Sequence, residues 1–438
     1  MVEAGLAKEK LAELMGRLGV HFTRVEPRAQ ASKYVFGLMS DLPRKNCWTL
    51  AEYAGDRTPD RMQRLLERAC WDTIAAMGTV RDFVVEHLAG EGGLAVLVLD
   101  ESGDEKTGTA TCGVKRQYVG CAGKVANAVN FVNATYSTPR GHALIGSRLY
   151  IPAEHLDDAA TRAAMGIDAG HEFKTKPQLG AELLTSALDT GVHVHWCTAD
   201  AVYGRDRALR EICEKRGIGY SLGVPCSFRI KLGSGTVLRA DATLKLLDKR
   251  AWQVASCGPG SKGERRYAFA WLSTASPRHF LLIRRSLTKP TDLAYFYCYV
   301  PEQIPATLGV LVAVTGRRWT IEEDHEFGKD QFGFDQSQLR LYTPIMRHIV
   351  LVMAALAVCA VTAAEARTRA QPLHTPDDPT QPPPDDLGLI PLTVVEIKKL
   401  FNLATRVWRS TSHHLHWSWW RRRHQARARW YHHRVRLT

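Results

Sequence analysis

The chain has 438 residues, 45% hydrophobic and 24% charged, with a net charge of +13. That size and balance exclude a disordered, collagen-like or disulfide-stapled protein and predict about two to four domains with sizeable cores. The excess charge is local, because residues 391–438 carry eleven Lys or Arg against the single acid Glu396, and such an end seeks a polyanion.

Residues 1–90 predict a helical N-terminal domain, since Leu6, Leu11, Leu14, Met15 and Leu18 recur at helical spacing. It opens without a secretory apolar region, and nothing in it spells out a helix-turn-helix. The module reads either as a DNA-binding domain or as a helical cap on the core of the chain. Ten cysteines show no Cys-x-x-Cys pair and no zinc-like spacing with histidine, which points to reduced thiols in a cytosolic protein.

From residue 91 to 224 the pattern turns to strands and then alternates. Residues 94–100 form an apolar run closing on Asp100, strands are expected near 127–136 and 143–151, and a helix is expected over 177–189. Residues 192–200 repeat the first pattern and close on Asp200, ahead of a helix over 205–216. Each aspartate is thereby expected at a strand end. Residues 225–310 predict a β-rich insertion. Within it, Gly258-Pro-Gly-Ser-Lys-Gly263 matches a nucleotide-loop spacing but precedes a strand, so a hairpin turn accounts for it.

Residues 311–370 hold the next signal. On a helix, Arg318, Glu322 and Lys329 share one stripe, a carboxylate between two cations. Alone, that stripe could be a run of surface ion pairs. Together with two strand-end aspartates it suggests three carboxylates converging, which would repel one another unless a hard divalent ion lay between them. The apolar run 349–364 is sixteen residues long, short for a membrane span, and predicts a buried helix and no membrane partner. Residues 371–390, rich in proline and aspartate, predict an extended linker. The 391–438 tail begins with an amphipathic stretch at 392–408 and then interleaves Trp419 and Trp420 with Arg421, Arg422 and Arg423, a mixture that suits nucleic acid. The alternative is an aromatic helix packed on the core with solvated arginines.

The order Asp100, Asp200, Glu322, with Arg-x3-Glu-x6-Lys around the glutamate and Asp-x-x-Tyr-Gly at 200–204, resembles the DDE transposases of bacterial insertion sequences. Leu-Asp-Glu-Ser-Gly at 99–103, Arg-Gln-Tyr-Val-Gly at 116–120, Phe-Lys-Thr-Lys-Pro at 173–177 and Leu-Ile-Pro-Leu-Thr at 389–393 resemble the insertion sequence seven-hundred-one type in particular. One position departs, since Thr315 stands where the related signature has tyrosine. The resemblance implies an α/β fold, an RNase H-like mixed sheet flanked by helices, interrupted by the β-rich insertion and preceded by a helical DNA-binding domain. It implies Asp100, Asp200 and Glu322 as ligands of two Mg²⁺ or Mn²⁺ ions, and Arg318, Lys329 and Tyr203 as groups that position DNA. The implied partners are the terminal inverted repeats, target DNA and a second copy of the chain at synapsis, in the bacterial cytoplasm on the nucleoid. A domesticated transposase serving as a DNA-binding regulator, or another RNase H-like nuclease, would share these features.

Overall fold

The computed structural model describes residues 2–90, 94–120, 123–260, 263–367 and 389–437, which divide into two compact units, 81–326 and 1–80 with 327–438. The stretch expected as a linker lies, through residue 388, outside the described residues.

The chain opens with helices α1 (Val2–Leu18), α2 (Val25–Leu38), α3 (Cys47–Ala54), α4 (Asp60–Glu67) and α5 (Thr73–Leu88). Strands β1 (Val96–Glu105), β2 (Lys115–Val119), β3 (Lys124–Thr138) and β4 (Gly141–Leu149) come next, then α6 (Glu154–Asp157), α7 (Ala159–Ala164) and α8 (Lys176–Asp189). The alternating part is β5 (Trp196–Ala199), α9 (Ala201–Gly204), α10 (Arg207–Lys215) and β6 (Gly219–Val224). A small hairpin, β7 (Arg229–Lys231) and β8 (Val237–Arg239), precedes β9 (Gln253–Gly260), β10 (Gly263–Ser273), β11 (His279–Arg285) and β12 (Leu293–Tyr299). Helices α11 (Leu308–Arg317), α12 (Trp319–Phe332), α13 (Tyr342–Arg367), α14 (Val394–Ala404) and α15 (Thr411–Leu437) complete the chain.

In the unit 81–326, β4, β3, β1, β5 and β6 lie side by side, with β3 antiparallel to β1 and β4 while β5 and β6 run parallel to β1. That order and those directions are the RNase H-like arrangement. The β-rich insertion does not form a sheet of its own. Strand β12 pairs antiparallel with β6, and β11, β10 and β9 continue outward, so that ten strands share one sheet among the described residues. Of the glycine-rich stretch at 258–263, Gly260 ends β9 and pairs with Gly263 at the start of β10, while residues 261 and 262 lie outside the described residues.

The two faces of the sheet differ in chemistry. Apolar Leu99 and Leu222 face α8 and α9, whereas Thr135, Thr198 and Ser221 on alternate positions are buried on the face that receives α11 and α12. Thr315 of α11 belongs to that polar layer, its hydroxyl 2.7 Å from that of Ser221. On the other face the chain approaches itself closely after Asp200. A Cβ on Gly204 would fall 1.8 Å from the Gly223 carbonyl oxygen, so no larger residue fits between α9 and β6.

The unit 1–80 with 327–438 is organised on α13, whose apolar surface is taken up by α1, α2, α4 and α14. It is long and apolar enough to cross a membrane, but it is buried on every side, as a core helix is. Its buried His348 and Arg347 are both engaged. His348 meets the Tyr34 hydroxyl at 2.9 Å and the Gly333 carbonyl at 3.0 Å, and Arg347 donates to the carbonyls of Leu66 and Trp71.

Replacing Gly204 by alanine should destabilise the protein by about 1 to 3 kcal/mol, the range for forcing atoms into a packed interior. Denaturant unfolding of Gly204→Ala against wild type measures it. Equal midpoints would mean that α9 can move off β6 without cost.

Candidate active site

The parallel ladder between β1 and β5 ends at the pair Leu99 and Ala199, and the next residues on the two strands are Asp100 and Asp200. Asp100 is therefore not at the end of its strand, as its apolar run suggested. Pairing with β3 carries β1 on to Glu105, and Asp100 sits where β1 and β5 part. Crevices outside the carboxyl ends of parallel strands are where open α/β sheets place their ligands. Asp200 caps the next turn, accepting from the Val202 N–H at 2.9 Å.

Arg318 brings the third acid to them. It lies at the junction of α11 and α12, just outside the helix expected to carry it, but its backbone is still helical (φ −54°, ψ −32°). The four-residue reach to Glu322 is thus kept, with Nη2 2.5 Å from Oε1, while Nη1 lies 3.7 Å from Asp100 Oδ2. The side chains of Arg318, Asp100 and Glu322 are 24%, 17% and 33% exposed, so the cluster is recessed yet open to a solute. Lys329 lies two turns further along α12.

What aims α12 is a second cluster that sequence reasoning missed. Asp324, fully buried, accepts from the Thr135 hydroxyl at 2.7 Å and from His142 Nδ1 at 2.9 Å. His142 Nε2 meets Glu323 at 3.1 Å, and Asn133, opposite Asp100 across the β1–β3 ladder, meets His325 at 3.0 Å. Three consecutive residues of α12 are thereby fastened to β3 and β4, and Glu322 is left for Arg318. Glu323, the neighbour most easily mistaken for a ligand, is engaged by His142. Glu101, the acid next to Asp100 in sequence, points to the opposite face, where Lys176 pairs with it at 3.0 Å and the Tyr203 hydroxyl donates to it at 3.1 Å. Tyr203 itself is fully buried. It braces the turn behind Asp200.

The charges are strained accordingly. Burial first, and then the neighbouring Asp200, push the Asp100 carboxyl up to about 7, with Arg318 and the Glu101 N–H only partly opposing them. Burial also raises Asp200, against the Val202 N–H bond. Two aspartates and a glutamate face one guanidinium, a set of oxygen donors with charge left uncompensated, and this is the environment a hard divalent cation fits.

On α15, the helix that is only the alternative reading of the mixed tail sequence, the predicted contact residues divide. Trp420 packs against Trp48 and His424, and Arg421 pairs with Glu52. Arg422, Arg423 and Trp419 are exposed. His413 and His416 reach backbone carbonyls of Glu52 and Arg57.

His142 supplies a test of the clamp. Burial disfavours its charged form, but Asp324 and Glu323 prevail and raise it from 6.5 to about 9. Its contribution to stability is therefore complete below pH 6.5 and lost as pH rises through about 9. Thermal melts in chelator should show wild type losing stability over that window, and His142→Gln should remove that part of the decline at a cost on the order of 1 to 3 kcal/mol at neutral pH. Parallel pH profiles for the two proteins would leave the clamp without an energetic role.

Comparison with known proteins bears on this cluster. Residues 17–234 match the family described as DDE superfamily endonuclease, a span that includes Asp100 and Asp200 and ends before Glu322. The sequence is 24% identical over 327 residues to a protein of Microchaete diplosiphon described as a probable transposase for insertion sequence element IS701, covering 72% of this chain and 78% of that protein. A cryo-EM structure of the piggyBac transposase synaptic complex with hairpin DNA aligns with 87% of this chain and 71% of that one, at 10% identity and a TM-score of 0.46.

Proposed function

This chain is a DDE transposase of the insertion-sequence type, and we propose that it cuts DNA at the ends of its element and joins the freed 3′-OH to target DNA at the site formed by Asp100, Asp200 and Glu322. The observation that carries this is the meeting of Asp100 and Asp200 at the end of the β1–β5 ladder, with Arg318 linking Asp100 to Glu322.

Asp100, Asp200 and Glu322 would together hold two Mg²⁺ or Mn²⁺ ions. Such ions, when bound, stabilise negative charge on the attacking and leaving oxygens of a phosphodiester. The protein groups do the rest. Arg318 keeps the carboxylates together when no cation is present and presents a planar fork suited to phosphate. Lys329 offers a second cation on the same helix for the strand beside the scissile bond. Tyr203 and Lys176 hold Glu101 away from the cluster and so keep the ligand set to three. The helical domain at 1–90 and the tail at 391–438, through its exposed Trp419, Arg422 and Arg423 more than through Trp420 and Arg421, which the protein itself engages, would bind DNA. A homodimer is proposed because two ends must be cut together.

Single-turnover cleavage of a labelled inverted-repeat end tests the assignment. Asp100→Asn, Asp200→Asn and Glu322→Gln should each lower the rate about a hundredfold or more. Retained activity in Glu322→Gln with loss in Glu323→Gln would move the third ligand by one residue. Lys329→Ala should slow cleavage about tenfold with an unchanged melt, since positioning near the reacting centre is typically worth over about 1.4 kcal/mol in the transition state. A wild-type rate would return Lys329 to the role of a surface ion-pair partner.

A further inference from the structure

Helix α15 is two things in succession. Its first half is seated on the protein, with Trp417 fully buried and its indole N–H donating to the Asp56 carbonyl at 2.9 Å. Beyond Arg421 nearly every described side chain is exposed. A helix polar on all sides is ordinarily steadied by acid–base pairs along its surface, but the sequence has no Asp or Glu after Glu396. The arginines of α15 therefore have no acidic side chain on their own helix to pair with.

Their spacing suggests what they serve. Trp419, Arg423, Arg427, Trp430 and Arg434 succeed one another at intervals of four, four, three and four, so they form one stripe about 22 Å long. Two rungs are already assembled, with the Arg423 guanidinium 5.0 Å from the Trp419 ring centre and that of Arg434 5.8 Å from the Trp430 ring. A guanidinium laid on an indole can still donate its edge N–H groups to phosphate. The two indoles are 53% and 58% exposed, in contrast to the buried Trp417.

We infer that this stripe is a ladder that tracks a DNA strand with unpaired bases, the arginines on successive phosphates and Trp419 and Trp430 stacked on base faces. The inference rests on the transposase reading for its choice of DNA as the polyanion. A membrane surface fits less well, because helices that lie in an interface separate an apolar face from a basic one, and here the aromatic and basic groups share a single stripe. Duplex DNA would engage the arginines alone, since its base faces are covered.

The test uses the full chain, a fluorescent single strand of about 20 nucleotides, long enough for several binding sites, its duplex, and anionic phosphatidylserine vesicles. Trp419→Ala/Trp430→Ala should weaken single-strand binding about tenfold or more and leave duplex binding within about twofold. Arg423→Gln/Arg427→Gln/Arg434→Gln should lower the slope of log affinity against log salt on the single strand by about 2, at roughly 0.7 for each phosphate no longer neutralised. Equal weakening on single strand and duplex in the tryptophan variant, or an unchanged slope in the arginine variant, would overturn the ladder. So would loss of vesicle binding with DNA binding intact. Metal-dependent cleavage by wild type, measured in parallel, fails only if the transposase reading fails.

Discussion

Arg318 stands between Asp100 and Glu322, and the site exists only because the fold can hold that much negative charge together. Left to themselves, buried carboxylates at such spacing would take up protons or move apart. Burial first, and then the charge of Asp200, raise the Asp100 carboxyl. A guanidinium opposes this in part, and its planar fork reaches two acids from a single position at the α11–α12 junction.

The rest of the unit 81–326 can be understood as holding this arrangement in place. The β1–β5 ladder sets Asp100 and Asp200 at one level, and the close approach of Gly204 to Gly223 keeps α9 down on β6 behind Asp200. The buried hydroxyl layer on the other face gives α11 and α12 polar partners, so Asp324 can be buried without being unpaired. By continuing the same sheet, β9 to β12 bring the chain back from β6 to α11. The insertion is thus part of the structural path between the second and third acids.

Much of this could be read from residue order. Apolar runs ending in Asp100 and Asp200 mark β1 and β5, and the three- and four-residue spacing from Arg318 to Lys329 survives in the structure even though the helix proper begins one residue later. Other features could not be read. His142 and Asp324 are far apart in sequence and neither stands in a periodic pattern, so their meeting depends on the register of β3 with β4 and on the packing of α12. The apolar run that stops at Asp100 suggests a strand end there, but β3 pairs with the polar continuation as well. The helix of α15 is legible only as an alternative, because arginine, histidine and tryptophan there carry no apolar period, and its extent shows only in the backbone.

A divalent cation bound among the three acids would relieve the cost at which the fold holds them together. Thermal melts of wild type and Asp100→Asn at about pH 8, above the raised carboxyl, in chelator and then in Mg²⁺, test this directly. Ionised Asp100 opposes folding when its carboxyl is raised to about 7, so in chelator the Asn variant should melt higher than wild type; Mg²⁺ should then raise wild type and leave the variant unmoved. A wild type that melts above Asp100→Asn in chelator, with neither protein responding to Mg²⁺, would contradict it.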